Sequence, residues 1–329
     1  MNRWLVAADD RTGAFEVAAL LAGADGVVVT VGLPPEGDGV VDLGTRAMAP
    51  DEAARVAATL PDGAWAGHKI DSTLRGNWAA EVRARRLATG RRLIVLPGWP
   101  DMGRTCVAGV VKVFDEPVGE MKAHLPEAAL VPHAAALRHW WSGTRAVAVC
   151  DVPDSEALVS LAAAVAEFPE EAVIVAGPAG PLAAVRRARE GTAAHQPTVP
   201  EVLGPALVVC GSASPVAHRQ LAQLRMSHPA VEVIAVAPTE DELHPGPAAE
   251  IADRARVRLG EALPATLVLV GGDTAAAVLG DAPRRVGGMI APGMPWSRDL
   301  DGGGPLVITK AGGFGGVDAL ARLFAGKTV

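Results

Sequence analysis

One pattern recurs along the chain and constrains its fold more than any other. A short apolar run ends in a loop rich in Gly, Asp, Ser or Thr, and a helix-like segment often follows. Residues 4–8 lead into Asp9-Asp10-Arg11-Thr12-Gly13, and residues 65–70 lead into Asp71-Ser72-Thr73-Leu74-Arg75-Gly76-Asn77. Runs at 93–96, 146–150, 173–176, 206–210, 267–270 and 306–308 end in the same way. These runs are nearly continuous in apolar residues rather than alternating. That marks strands buried on both faces, as in a parallel sheet. Parallel neighbours need crossovers, which helices usually supply. Helices are expected at 13–22, 50–60, 77–88, 155–168, 181–190, 215–226, 274–279 and 317–324. The fold class is therefore α/β, with mainly parallel sheet flanked by helices. In such folds ligands bind outside the carboxyl ends of the strands, where these loops lie.

A length of 329 residues suits about two domains. Residues 191–205 are poor in apolar runs and carry Gly191, His195, Pro197, Pro200, Gly204 and Pro205, so the division is expected as 1–203 and 204–329. A second poorly ordered stretch, 237–248, reads as a surface excursion.

Several function classes are excluded early. The formal charge is -7 and no Lys/Arg block occurs, which disfavours nucleic acid as a partner. Cys106, Cys150 and Cys210 form no CxxC pair and are odd in number, which argues against a zinc site or a disulfide framework. No apolar run approaches the ~18 residues of a membrane span, and the amino terminus lacks a secretory signal pattern. The expectation is a cytoplasmic enzyme with no protein-held metal. Gly326-Lys327-Thr328 lacks the glycine a Walker A loop needs at 321, where Ala321 stands. No GxGxxG follows a strand, and neither HExxH nor GxSxG occurs.

The loops carry the candidate chemistry. Asp9 and Asp10 are adjacent carboxylates at a strand end, able to cap a helix, bind hydroxyls or take a proton. Lys69, Asp71, Ser72 and Arg75 put two cations, a carboxylate and a hydroxyl within seven residues, a set that can clamp an anion and leave an acid/base group. Arg46, after Asp42-Leu43-Gly44-Thr45, can reach a carboxylate bidentately. In the second half, Gly211-Ser212-Ala213-Ser214 and Gly271-Gly272-Asp273-Thr274 each join a strand to a helix start, where exposed N–H groups favour phosphate. Gly312-Gly313-Phe314-Gly315-Gly316 is a third flexible loop, and Pro292-Gly293-Met294-Pro295 reads as a turn or a wall for a base.

Taken together, ADDRTGA (8–14), DLGTR (42–46), KIDSTLRGN (69–77), PDMGRT (100–105), CGSASP (210–215), GGDTA (271–275), IAPGMPW (290–296) and KAGGFGG (310–316) resemble the four-carbon acid sugar kinase family. The pieces stand in family order across nearly the whole chain. The resemblance implies an amino-terminal domain that binds the sugar acid, a carboxy-terminal domain that binds ATP with Mg²⁺, and a site in the cleft between them. It implies phosphate transfer to the terminal hydroxyl of a four-carbon aldonate such as threonate or erythronate. Asp9, Asp10, Arg46, Lys69, Asp71, Ser72 and Arg75 match the substrate side, with Asp71 the first choice of proton acceptor and Asp10 the second. Ser212, Ser214, Gly271, Gly272, Asp273, Thr274, Gly293 and Gly312 match the ATP side. Arg11 stands where the family usually has an apolar residue, so it is expected to add a cation to the acid pocket. A kinase for another small hydroxy acid, a non-catalytic sensor of ATP or acid, and a homodimer stay open.

Overall fold

The computed structural model describes residues 4–61, 63–191, 199–237 and 248–325. His195, most of the expected surface excursion and Gly326-Lys327-Thr328 lie outside the described residues. Two compact units emerge, one of Met1–Leu21 and Thr30–His195, the other of Ala22–Val29 and Gln196–Val329. A division by sequence at 203 leaves Ala22–Val29 with the first unit. Pairing is the reason those residues go with the second: Val27, Val28 and Val29 lie antiparallel to Val286, Arg285 and Arg284.

In chain order the first two-thirds comprise β1 (Trp4–Ala8), α1 (Arg11–Leu21), β2 (Val27–Val31), β3 (Gly39–Asp42), α2 (Pro50–Ala58), β4 (Trp65–Lys69), α3 (Trp78–Thr89), β5 (Arg92–Val95), β6 (Arg104–Val107), β7 (Val110–Val113), β8 (Glu116–Glu120), α4 (Met121–His124), β9 (Ala129–Val131), α5 (Ala134–Trp141), β10 (Val147–Cys150), α6 (Ser155–Ala166), β11 (Val173–Gly177) and α7 (Ala179–Glu190). The first unit's main sheet runs β3-β1-β4-β11-β5-β10-β9, with every neighbouring pair parallel. β1 and β4 are buried along their whole length; β1 accordingly reads as an apolar run, whereas β4 ends in His68, partnered by Glu81 at 2.9 Å, and Lys69. β6, β7 and β8 form a separate antiparallel sheet. Its tight turns place Ala108-Gly109 and Phe114-Asp115 at positive φ, as two-residue hairpin turns require. Cys106 and Val111 anchor it to a core that also holds Ile70, Leu74, Trp78 and Met121.

The remainder comprises β12 (Ala206–Cys210), α8 (Pro215–Ser227), β13 (Glu232–Ala235), α9 (Ala248–Glu261), β14 (Thr266–Val270), α10 (Gly272–Leu279), β15 (Arg284–Ala291), β16 (Met294–Asp299), β17 (Leu306–Lys310) and α11 (Ala319–Arg322). β13-β12-β14-β17 is parallel, and β16 and β15 extend it antiparallel. The fold is thus α/β, and in each unit the strand order reverses beside the first strand. β1 has β3 on one side and β4 on the other, and β12 has β13 and β14. Crevices at such reversals, at the carboxyl ends of the strands, are where open α/β sheets take ligands. No helix among the described residues is long and apolar enough to cross a membrane.

Candidate functional site

Three adjacent strands of the first unit deliver charge to one place. β1 ends at Asp9-Asp10, β3 leads to Arg46, and β4 ends at Lys69 ahead of Asp71. Arg46 binds Asp9 as a fork, Nε to Oδ2 and Nη2 to Oδ1, both at 2.8 Å. Its Nη1 donates to Asp10 Oδ2 at 2.7 Å, and Nη2 lies 3.6 Å from Asp71 Oδ1. Asp10 also caps α1, its Oδ1 accepting from the Gly13 N–H at 2.8 Å, a favourable place for a carboxylate. Lys69 is buried, with Nζ 3.7 Å from Glu16.

The loop from Ile70 to Asn77 is pinned at both ends. Ile70, Leu74 and Trp78 are buried in the core beneath it. Burying an Ile or a Leu contributes about 1.5–3 kcal/mol each. That offsets the about 1–3 kcal/mol of holding Leu74 in the left-handed region, at φ 63°. Gly76, at φ 83°, has no such anchor, and a Cβ there would sit 2.7 Å from Asp9 Oδ2. Asn77 ties this loop to the Arg46 loop, Nδ2 donating to the carbonyls of Thr45 (2.9 Å) and Met48 (2.8 Å). Asp71 is the loop's internal acceptor. It takes the Thr73 hydroxyl, the Thr73 N–H at 3.0 Å, Arg75 Nε at 3.1 Å and Arg75 Nη2 at 2.9 Å.

These environments separate the carboxylates. Burial raises the pKa of Asp9, and Arg46 only partly reverses this. Burial acts on Asp71 in the same direction, but the bonds from Arg75 and Thr73 and the charge of Arg46 outweigh it and hold Asp71 far below the carboxylate range. Arg46 is held protonated, since Asp9, Asp10 and Asp71 outweigh the burial of its charge. Asp71 is therefore a weak proton acceptor. Asp10 is the most accessible of the three, with 22% of its side chain exposed.

Charge matching also singles out a residue outside the expected substrate set. Arg46, Lys69 and Arg75 all face carboxylates from among Asp9, Asp10, Asp71 and Glu16. Arg104, at the start of β6, places Nε 3.4 Å from Ser72 Oγ and donates Nη1 to the Met102 carbonyl. No carboxylate among the described residues pairs with it.

In the second unit the loops after β12, β14 and β17, three neighbouring strands, converge. The Thr274 hydroxyl accepts from the Gly211 N–H at 3.1 Å, and Ser212 Oγ accepts from the Ser214 N–H at 3.3 Å. Ser214 precedes Pro215 at the start of α8, and Gly271 precedes α10. A Cβ on Gly312 would sit 2.1 Å from Ser212 Oγ, so the glycine loop lies directly on the β12 loop. Gln220, buried in α8, sets Nε2 within 3.0 Å of the Phe314, Gly315 and Gly316 carbonyls. Two helix starts and a glycine loop at one crevice suit a phosphate group.

Comparisons with known proteins show the family. Residues 4–140 match the family model of a sugar-binding N-terminal domain. A D-threonate kinase of Bordetella bronchiseptica strain RB50 is 33% identical, over 77% of this chain and 76% of the relative. The chain belongs to the four-carbon acid sugar kinase family. A D-threonate kinase of Cupriavidus necator H16 is 36% identical over 68% of this chain, which spans 63% of that relative's length. A solved structure from Salmonella typhimurium LT2 shares the fold, with TM-score 0.75 and 20% identity over 98% of each chain.

Within this family member the structure gathers Asp9, Asp10, Arg46, Lys69, Asp71, Ser72 and Arg75 at one end of the first sheet. Ser212, Ser214, Gly271, Gly272, Thr274 and Gly312 gather at one end of the second. Asp273 is exposed in the first turn of α10, and Gly293 packs on the Phe314 ring. Arg11 is placed otherwise than expected. Its Nε binds Asp42 Oδ2 at 2.8 Å, both side chains are 4% exposed, and the pair neutralises itself inside the fold. Arg11 therefore adds no cation to the acid pocket. Thr73, Asn77, Arg104, Gln220 and Lys310 were not among the expected site residues. Four of them sit inside or beside the family pieces, but Gln220 gives no local signal, because its target lies about 95 residues downstream.

Proposed function

We propose that this chain is an ATP-dependent kinase acting on the terminal hydroxyl of a small sugar acid, a four-carbon aldonate of the threonate or erythronate type. The observation that carries it is the Arg46-bridged pair Asp9–Asp10 at the ends of β1 and β3, inside the region that matches a sugar-binding domain. The names of the two kinase relatives support both the reaction and the substrate class.

Phosphoryl transfer depends mainly on positioning and charge neutralisation. Arg46 fixes the two carboxylates, so Asp10 can orient the terminal hydroxyl and receive its proton. Asp71 is committed to Arg75 and Thr73 and acts by shaping the loop. Arg104, with the Ser72 hydroxyl beside it, takes the substrate carboxylate. ATP binds at the Ser212, Gly271–Thr274 and Gly312 loops, where the starts of α8 and α10 fit its phosphates. Mg²⁺ bound to the triphosphate would supply charge neutralisation there. Among the described residues no cluster of three ligating side chains could hold a metal separately.

The test is ADP release with Mg-ATP against C3 to C6 sugar acids and the matching neutral polyols, with Asp10→Asn as control. Turnover of threonate or erythronate, absent in the control, supports the full reading. Arg104→Gln should then cut the preference for acid over polyol by about 10-fold or more through KM. Turnover confined to another acid keeps the kinase and replaces the substrate. Nucleotide binding without turnover of any acid would leave a sensor.

A further inference from the structure

Lys310 closes β17, and its side chain turns back beneath the loop that follows it. It is one of five lysines in the chain, and it is 1% exposed. Its Nζ donates to the carbonyls of Ala311 at 2.8 Å and Gly312 at 3.2 Å. In a trans peptide the C=O and the following N–H point in opposite directions. Turning these two carbonyls inward therefore turns the N–H groups of Gly312 and Gly313 outward. Neither N–H has an acceptor among the described residues. Gly312 lies against Ser212, and Gly313 lies beside Ser214 at the start of α8. Adjacent outward N–H groups form a concavity that binds anions.

The charge of Lys310 also lacks a countercharge among the described residues. No carboxylate among the described residues pairs with it. Val270 of β14 lies beside it, and the titratable group that acts on it is the buried Cys210 thiol on β12. Burial brings the Lys310 pKa down to about 8. An anion at the loop would supply the missing countercharge.

We propose that Lys310 is the positioning residue of a main-chain anion nest, the Gly312 and Gly313 N–H groups, that takes a phosphate of the nucleotide. This rests on reading the second unit as the nucleotide-binding one. Lys310 acts in two ways there: it sets the two peptide planes, and it places a positive charge one layer behind the phosphate.

The experiment is calorimetric titration of Mg-ADP into the full chain at pH 7 and pH 9, for wild type, Lys310→Met and Lys310→Arg. Linkage to a group of pKa about 8 weakens wild-type binding by about 10-fold between the two pH values, with uptake of about half a proton per ADP at pH 8. Lys310→Met should bind ADP at least about 10-fold more weakly at pH 7 and lose the pH slope, and Lys310→Arg should recover part of the affinity without the slope. Threonate binding to Lys310→Met, read by thermal shift, should be unchanged. Wild-type affinity and slope in Lys310→Met would overturn the proposal. If that variant does not fold, the wild-type titration decides alone: no slope and no proton uptake would overturn it. A wild type that binds neither ADP nor ATP overturns the functional reading itself, and the nest with it.

Discussion

Arg46 and Asp9 meet through two parallel 2.8 Å hydrogen bonds, with the Asp9 carboxylate fully buried. Removing the guanidinium leaves that buried charge alone beside Asp10. Arg46→Met should lower stability by about 3–5 kcal/mol, read from urea unfolding. Arg46→Lys should recover only part, because an ammonium cannot match the fork. Wild-type stability in Arg46→Lys would show that fork geometry is irrelevant here.

Asp10 and Asp71 should separate in kinetics. Asp10 is accessible, whereas Asp71 is held ionised by Arg75, Thr73 and Arg46. Asp10→Asn should lower kcat by about 10²–10⁴-fold. Asp71→Asn should act mainly on KM, through the loosened loop. The reverse ranking of kcat would restore Asp71 as the proton acceptor.

The same contrast predicts a pH dependence of stability. The folded-state pKa of Asp71 lies below its ordinary 3.8, so its contribution is complete above about pH 4 and is lost as pH falls toward the folded value. Asp9 and Asp42 are raised by burial and act with the opposite sign. The difference in urea midpoint between wild type and Asp71→Asn isolates the first effect. It should be constant from pH 7 to 5 and narrow below about 4. A gap that widens on acidification would contradict the assignment.

Arg11 and Asp42 form an ion pair sealed inside the fold. Arg11→Met should destabilise by about 3–5 kcal/mol, since it strands a buried carboxylate. Arg11→Met/Asp42→Asn should lose less than the sum of the two single variants. The ranking of sugar acids by kcat/KM should stay the same in whichever variant folds, and a reordered ranking would return Arg11 to the pocket.

Gly312 and Ser212 are too close to admit a further carbon. The added methyl of Gly312→Ala meets Ser212 Oγ at 2.1 Å and Cβ at 2.7 Å. Nucleotide affinity should fall by about 10-fold or more, with sugar-acid binding unchanged. Ser212→Gly removes both atoms, so the double variant should regain affinity relative to Gly312→Ala. Failure of that rescue would place the damage elsewhere in the loop.

The sequence by itself determined the α/β class and the loops that carry chemistry. Strands buried on both faces are mostly apolar, as β1 and β12 are throughout, so Asp9-Asp10 and Gly271-Gly272 fall in the loops at strand ends. It did not reveal the small sheet β6-β7-β8. The turns Ala108-Gly109 and Phe114-Asp115 lack the usual asparagine, so their positive φ gave little sequence signal, and Cys106 and Val111 fix the sheet by burial in the core. Roles within the site were decided by tertiary structure alone. Arg11 and Arg46 are equivalent as letters, yet one is spent on Asp42 inside the fold and the other bridges Asp9 and Asp10. Likewise Asp71 looks like a base in sequence, but the bonds from Arg75 and Thr73 and the charge of Arg46 lower its affinity for a proton. Local sequence encodes which groups are near a strand end. Which of them remain available to a ligand depends on partners tens of residues away, because charge compensation in a buried site is set by distance in space.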